Sequence, residues 1–320
     1  MSTSRTPRHA RLLGPGDVAE AAAILRAGGL VAFPTETVYG LGAIANDGRA
    51  VARLYATKGR PAFNPLIVHV SDLAAAERLA VLDPLARDLA ARFWPGPLTL
   101  VAPLREGHGL ASGVTAGLAT VAIRVPAAPL ARALLEAVGR PVAAPSANPS
   151  GRISPTRAVH VMAGLGYAID AVLDGGSCAV GLESTILRTD PLALLREGGL
   201  AAEAIEDALG RALPSDTTPG RVQAPGQLAS HYAPSRPVRL GVTARAADAV
   251  LIGFGPVAGD LTLSASGDLA EAAAALFDRL HEADALAASR DAACIDVAPV
   301  PDEGLGRAIL DRLRRAAAPR

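Results

Sequence analysis

At 320 residues, half of them apolar and 19% charged, the chain is long enough for two domains of ordinary size, each with a real core. Only 3% of the residues are aromatic, so that core is aliphatic and alanine-rich. A formal net charge of zero argues against nucleic-acid binding through a broad basic field and leaves room only for a local patch.

Cys178 and Cys294 stand far apart, in no metal-ligand spacing, and read as buried free thiols of a reducing compartment. Residues 1–16, MSTSRTPRHARLLGPG, lack the apolar stretch of a signal peptide, and no apolar run reaches bilayer-spanning length. A cytoplasmic protein without membrane contact is expected.

In chain order, the first dozen residues read as a loose arm. Asp17 opens an amphipathic helix with Val18, Ala21, Ala22 and Leu25 on one face and Gly28-Gly29 as its stop. Leu30 to Phe33 reads as a buried strand, ended by Pro34 and a polar turn carrying Thr35, Glu36 and Thr37 before Gly40 and Gly42. Residues 48–57 return as a helix, and 65–70 as a buried strand. Helices follow at 73–79 and 84–93, then the turn WPGPLT and a strand at 98–102. The Gly-rich stretch 104–118 reads as a mobile surface loop. Strands at 120–125 and 142–144 flank a helix at 128–138, and further strands are expected at 171–173, 185–188 and 192–196, with a closing helix at 202–209.

Composition shifts after Gly210. Residues 211–236 are rich in Pro, Ser, Thr and Gly, have no period, and read as an extended linker. Residues 237–320 start afresh: strands near 238–242, 250–254 and 293–297 alternate with helices at 269–285 and 305–315, the pattern of a small parallel βαβ domain. The expected organisation is a catalytic domain over 1–210, a linker or lid over 211–236 and a second domain over 237–320.

The chemistry gathers around FPTETVYGLGA (33–43) and KGRPAFNPLIVHV (58–70). Lys58 is the only lysine among the 31 Lys and Arg residues. An ammonium is a compact point charge and a guanidinium a planar fork, so a lone lysine in an exposed Gly/Pro turn of an arginine-rich chain marks a position that needs the compact cation. Lys58, Arg60, Arg124 and Arg196 each follow or end an apolar segment. A sheet could bring them to one rim, where clustered cations suit a polyphosphate or a carboxylate. Taken singly, each arginine reads as a solvated surface charge. The PSAN turn, Pro145 to Asn148, with Ser154 beyond it, can present hydroxyls and N–H groups to phosphate oxygens. Ser154 can equally cap a helix started by Pro155.

GLESTI (181–186) superficially resembles a serine nucleophile but is not G-x-S-x-G. A hydrolase would need a base beside Ser184 or Ser146, for which His69 is the candidate, and no acidic orienter is readable. No P-loop, dinucleotide fingerprint or metal-ligand grouping is present, so any magnesium would arrive on phosphates. Trp94 reads as core at a tight turn.

PTETVYGLGA, KGRPAFNPLIVHV, FWPGPLTLV, TVAIRVP, APSANPSGRISPT, GLESTI and LLREGG follow one another between residues 34 and 199. Together they closely resemble the YrdC/Sua5 family of threonylcarbamoyl-AMP synthases, and the tail after APG…HYAP resembles the C-terminal domain of the longer, Sua5-type branch. The resemblance implies a twisted mixed α/β catalytic domain with a basic concave face, joined by the linker to a small Rossmann-like α/β domain. It implies synthesis of threonylcarbamoyl-adenylate from L-threonine, bicarbonate (or CO₂) and ATP, with pyrophosphate released and magnesium carried by ATP. The product would serve a separate enzyme system that modifies adenosine 37 of tRNAs reading ANN codons.

Carried over by motif, threonine would meet Thr37, His69, Arg124, Ser184 and the Ala144 backbone, with Arg124 forking onto its carboxylate. ATP would meet Lys58, Arg60, Asn64, Thr120, Ser146, Asn148, Ser154 and Arg196, and Lys58, Arg60, Ser146 and Asn148 would serve the chemistry. His231 and Tyr232 would bring the linker across the site. The residues alone agree: cations, hydroxyls and amides without paired carboxylates suit adenylyl transfer better than hydrolysis. For the synthase a weak direct tRNA contact is possible, and two rival readings remain, a non-catalytic RNA-binding module that uses the basic concave face and a serine hydrolase.

Overall fold

The computed structural model describes residues 9–216 and 230–319; residues 1–8 of the expected arm and 217–229 of the expected linker lie outside the described residues. The first unit begins with β1 (Arg11–Leu13), α1 (Val18–Arg26), β2 (Val31–Pro34), β3 (Tyr39–Ile44), α2 (Gly48–Lys58) and β4 (Ile67–His69). It continues through α3 (Leu73–Glu77), α4 (Pro84–Phe93), β5 (Leu98–Pro103), α5 (Ser112–Thr115), β6 (Thr120–Arg124) and α6 (Pro129–Val138). It closes with β7 (Val142–Ala143), α7 (Ala158–Leu165), β8 (Ala171–Leu173), β9 (Thr185–Thr189), β10 (Leu192–Arg196) and α8 (Ala202–Leu209).

Local chemistry sets the helix that carries the lone lysine. The Asp47 carboxylate accepts from the N–H groups of Arg49 and Ala50 and caps α2, while Gly59 ends it in the left-handed region at φ 60°, where a Cβ would be strained. Lys58 is therefore the last residue of a helix and is buried, not exposed in a turn as the Gly/Pro context implied.

Three other expectations change. Arg11–Leu13 is not loose but pairs in parallel with β8. The segment after Pro34 is a tight Thr35–Val38 turn feeding β3, which pairs antiparallel with β2. The Gly-rich stretch contains α5, and its Leu110, Val114 and Thr115 are buried, so it is anchored to the core.

The strands form one mixed sheet in the order β1-β8-β2-β3-β7-β4-β6-β5-β9-β10. Strand side chains alternate between faces, and here the alternation divides the sheet chemically. Leu66, Val68, Leu98, Leu100, Ile123 and Leu187 join the main core with residues of α2, α4 and α8. On the other face, α1 and α6 cover the β1–β8–β2–β3–β7 half through Leu25, Phe33, Leu134 and Val142. On the β4–β6–β5–β9–β10 half, that face carries only a small apolar patch of Ile67, Val101, Ala122, Ile186, Ala193 and Leu195. His69 and Arg124, one strand position beyond this patch, are direct register partners. Arg124 and Arg196 are the last residues of β6 and β10, which run in the same direction, so both stand at one rim of the sheet as expected, while Lys58 ends α2 and Arg60 follows it.

The second unit runs β11 (Val238–Leu240), β12 (Ala249–Gly253), β13 (Leu261–Thr262), α9 (Leu269–Ser289), β14 (Cys294–Val297) and α10 (Leu305–Ala317). Its sheet is wholly parallel, in the order β11-β14-β12-β13. Sequence reading missed the two-residue β13. The second unit's core is shared with the first: Val38, Ile153, Leu182 and Tyr232 belong to the same buried cluster as Leu276, Phe277, Leu280 and Ile309.

Candidate active site

A cavity opens at this rim, beside His231 and Tyr232, the latter packed against the second unit. Thr35, Thr37, Val38, Arg60, Ile67, His69, Arg124, Ala144, Ser146, Glu183, Ser184, Arg196, His231 and Tyr232 line it. Of the sequence-predicted residues, Arg60, Ser146, Arg196, His231, Tyr232, Thr37, His69, Arg124, Ala144 and Ser184 share this wall. Lys58, Asn64, Asn148, Ser154 and Thr120 do not, and the first four stand behind it as supports.

On one side Arg124 Nη1 donates to Thr37 Oγ1 at 2.8 Å, Nε to the Gly96 carbonyl at 3.1 Å and Nη2 to Glu36 Oε1 at 2.5 Å. Burial pushes the Glu36 carboxyl up, but the Arg124 charge and hydrogen bonds outweigh it, and the group titrates below the ordinary carboxylate range. Three of the five guanidinium N–H donors are so used, and two remain for a ligand. Arg124 is therefore already paired with one carboxylate before any amino acid arrives, a partner the sequence did not reveal.

His69 beside it is buried, and desolvation together with the Arg124 charge pushes its pKa down to about 3, so the ring is neutral at any working pH. Its Nδ1 has no hydrogen-bond partner. A buried polar atom without a partner in a cavity wall is a place where a ligand atom belongs. Ser184 Oγ shares a hydrogen bond with Thr99 Oγ1 at 2.7 Å, and Arg196 Nη2 donates to the Ser184 carbonyl at 2.8 Å and to Oγ at 3.3 Å. The Ser184 hydroxyl pairs with a threonine and a guanidinium instead of an imidazole, which removes the geometry a serine hydrolase requires.

On the other side Lys58 Nζ donates to the Ser146 carbonyl at 2.5 Å and to the Asn148 carbonyl. A point cation with three donors suits two converging carbonyls, and the lone lysine thereby holds the PSAN turn in shape. Desolvation and the nearby Arg60 charge lower its pKa well below the ordinary lysine value. Arg60 donates to Asn64 Oδ1 at 2.8 Å and to the Asn64 and Pro65 carbonyls, so Asn64 aims the guanidinium. Burial pushes Arg60 and Arg196 each down to about 10, which leaves both charged at neutral pH.

Asn148 Nδ2 donates to the Pro149 and Arg152 carbonyls, and its buried Oδ1 has no partner. Ser154 caps no helix: α7 starts at Ala158, and Ser154 Oγ donates to Glu183 Oε1 at 2.6 Å. Thr120 sits half-buried at the start of β6, on Arg124's face but outside the cavity wall.

Two residues of the expected linker line the cavity. The His231 N–H donates to the Arg315 carbonyl at 3.2 Å, and the His231 ring lies 4.1 Å from that of Tyr232. Tyr232 holds φ at 63°, a strained value for a bulky residue, and stacks on Phe277 of α9 at 5.4 Å. Both residues reach the cavity. Sequence reasoning missed Glu36, Thr99, Glu183 and Arg312; of these, Glu36, Thr99 and Glu183 lay inside quoted motifs.

No group of three or more His, Cys or carboxylate side chains that could hold a metal occurs among the described residues. No helix of the described residues is long and apolar enough to cross a membrane. Trp94 is half-buried, with Nε1 donating to the Leu98 carbonyl at 2.7 Å.

Residues 23–198 match the Sua5-YciO-YrdC family model, described as "Telomere recombination", and residues 200–318 match the model described as "Threonylcarbamoyl-AMP synthase, C-terminal domain". The threonylcarbamoyl-AMP synthase of Bacillus subtilis is 40% identical, over 95% of this chain and 93% of that protein. The protein of the same name from Pyrococcus abyssi is 41% identical over 93% of each. A crystal structure of P. abyssi Sua5 complexed with L-threonine superposes with a TM-score of 0.87 at 38% identity, covering 97% of this chain and 98% of that one. The chain belongs to the Sua5 branch of the YrdC/Sua5 family of threonylcarbamoyl-AMP synthases.

Proposed function

We propose that this cavity forms threonylcarbamoyl-AMP from L-threonine, bicarbonate (or CO₂) and ATP, with pyrophosphate as the leaving group. The observation that carries the reading is one cavity whose wall brings Arg60 and Arg196 together with a neutral His69 whose Nδ1 has no partner. The relative crystallised with L-threonine supports L-threonine as a substrate.

In this reading the threonine carboxylate takes the two unused N–H donors of Arg124, and its hydroxyl donates to His69 Nδ1. The neutral amine attacks CO₂ and loses a proton, giving a carbamate; where bicarbonate is the source, one water leaves in the same overall step. A carbamate oxygen then attacks the α-phosphorus of ATP, and the bond from that phosphorus to the bridging oxygen of pyrophosphate breaks. Arg60 and Arg196 balance charge on the phosphates, while the Ser146 turn, held from behind by Lys58 and Asn148, positions the nucleotide. Lys58 thus acts chiefly by shaping the turn. Magnesium, carried in with ATP, supplies further neutralisation of phosphate charge and needs no cage of protein carboxylates.

The adenylate is activated for transfer of its threonylcarbamoyl group, and we assign it to the system that modifies adenosine 37 of tRNAs reading ANN codons. Zero net charge argues mildly against direct tRNA binding and leaves room for a local patch. Two buried free cysteines fit a cytoplasmic location. The test is pyrophosphate release by the purified full chain, which should require L-threonine, bicarbonate and ATP together. Release indifferent to threonine would refute the reading.

A further inference from the structure

The largest fully buried side chain lies in neither set of expected site residues. Arg312 projects from α10 of the second unit and is 0% exposed. Its Nε donates to Glu183 Oε2 at 3.0 Å, and the other oxygen of that carboxylate accepts from Ser154 Oγ at 2.6 Å. Its guanidinium carbon lies 5.5 Å from the centre of the Tyr232 ring, within cation–π range. Its Nη1 donates to Asp311, and Asp311 in turn receives Arg315 Nε at 2.9 Å. The Arg315 carbonyl is the acceptor for the His231 N–H. One turn of α10 thus touches both lid residues and, through Glu183, the serine beyond the PSAN turn.

This arrangement is a poor stability device. Arg312 Nη2 is buried without a hydrogen-bond partner, and a buried ion pair often contributes no more than a well-packed apolar pair of the same size. It does connect two otherwise separate parts of the cavity wall, Glu183 and Tyr232, to a single cation from the other unit.

We infer that Arg312 is a positioning residue for the nucleotide side of the cavity, fixing Ser154 through Glu183 and Tyr232 through the face of its guanidinium, so that docking of the C-terminal unit completes the site. The inference rests on the proposed adenylyl-transfer function. It assigns the second unit a role in catalysis beyond tethering the lid.

The experiment compares wild type, Arg312→Met, Arg312→Lys and the double variant Arg312→Met/Glu183→Gln in the full chain. Each is read by thermal unfolding and by threonine-dependent pyrophosphate release at varied ATP and varied threonine. Arg312→Met alone leaves a buried carboxylate without its cation and is expected to lower the melting temperature. The double variant removes both charges and is expected to melt near wild type. The inference predicts that the double variant, though stable, has an ATP KM raised on the order of ten-fold or more, with a much smaller change in threonine KM. Arg312→Lys, which keeps the charge without the fork, should recover part of that loss and serves as the reading if the double variant does not fold. Wild-type ATP KM in a stable double variant, or in Arg312→Lys and Arg312→Met alike, would overturn the inference while leaving the function intact. Absence of threonine-dependent release in wild type would overturn the functional reading and this inference with it.

Discussion

Replacing Lys58 by methionine keeps the length and apolar stem of the side chain and deletes its ammonium. In the structure that ammonium is the donor for two carbonyls, those of Ser146 and Asn148, at a buried position. A buried acceptor left without its donor costs about 1–3 kcal/mol. Two such losses are partly offset by no longer burying a cation, which gives a net destabilisation of about 2–4 kcal/mol. At ~2–4 °C per kcal/mol for chains of this order of size, the melting temperature should fall by roughly 5–15 °C. The catalytic loss should be larger than the stability loss implies, because a turn displaced by about 1 Å costs roughly 100-fold in rate. Lys58→Arg is the companion variant: it retains charge, but a planar fork cannot converge on both carbonyls as the ammonium does. Differential scanning fluorimetry and pyrophosphate release against ATP concentration measure the two effects. An unshifted melting temperature with an unchanged ATP KM in Lys58→Met would refute the claim that this lysine shapes the turn.

Other expectations follow from the same geometry. Arg124→Lys removes the fork that pairs with Glu36 and Thr37, so threonine KM should rise by about 30-fold or more, the equivalent of ~2 kcal/mol, with ATP KM little changed; equal rises in both would contradict the assignment of that wall. His69 and His231 are each held near a pKa of about 3, chiefly by burial. Both therefore lie below their unfolded value near 6.5, and the unfolded chain binds more protons between those limits. Stability from these two groups is complete above pH 6.5 and is lost as pH falls toward 3, at up to roughly 3 kcal/mol per pH unit for two protons. Unfolding at pH 5 in buffers of different ionisation enthalpy should reveal proton uptake, and its absence would mean the rings are not buried neutral.

The sequence made some features legible and hid others for physical reasons. Strands β4, β5, β6, β9 and β10 were readable as apolar runs, and their alternation was present too: Ile67 and His69 against Val68, Ala122 and Arg124 against Ile123. Which strands run parallel was not legible, so the gathering of Arg124 and Arg196 at one rim stood only as an expectation until the sheet order was known. Strand β3 was hidden by Gly40 and Gly42, which resemble turn residues. Gly42 is instead a close-approach position, where a Cβ would lie 3.0 Å from the Phe33 ring. Lys58 was noticeable as the only lysine, yet its burial depends on Ser146 and Asn148, about ninety residues away. Motif reading found the cavity wall because its residues cluster in short blocks. It could not find Arg312, one arginine in an amphipathic helix whose partners, Glu183 and Tyr232, come from two distant segments. Contacts between units leave no local pattern, and the sequence signal for them is correspondingly weak.

The most direct test of the central claim supplies the full-length protein with ¹³C-bicarbonate, L-threonine and ATP and follows the products by mass spectrometry. The account predicts a single adenylate that contains threonine, the labelled carbon and AMP, formed in step with pyrophosphate and lost when any one substrate is omitted. ADP and phosphate as the main products, or an adenylate without the labelled carbon, would contradict it.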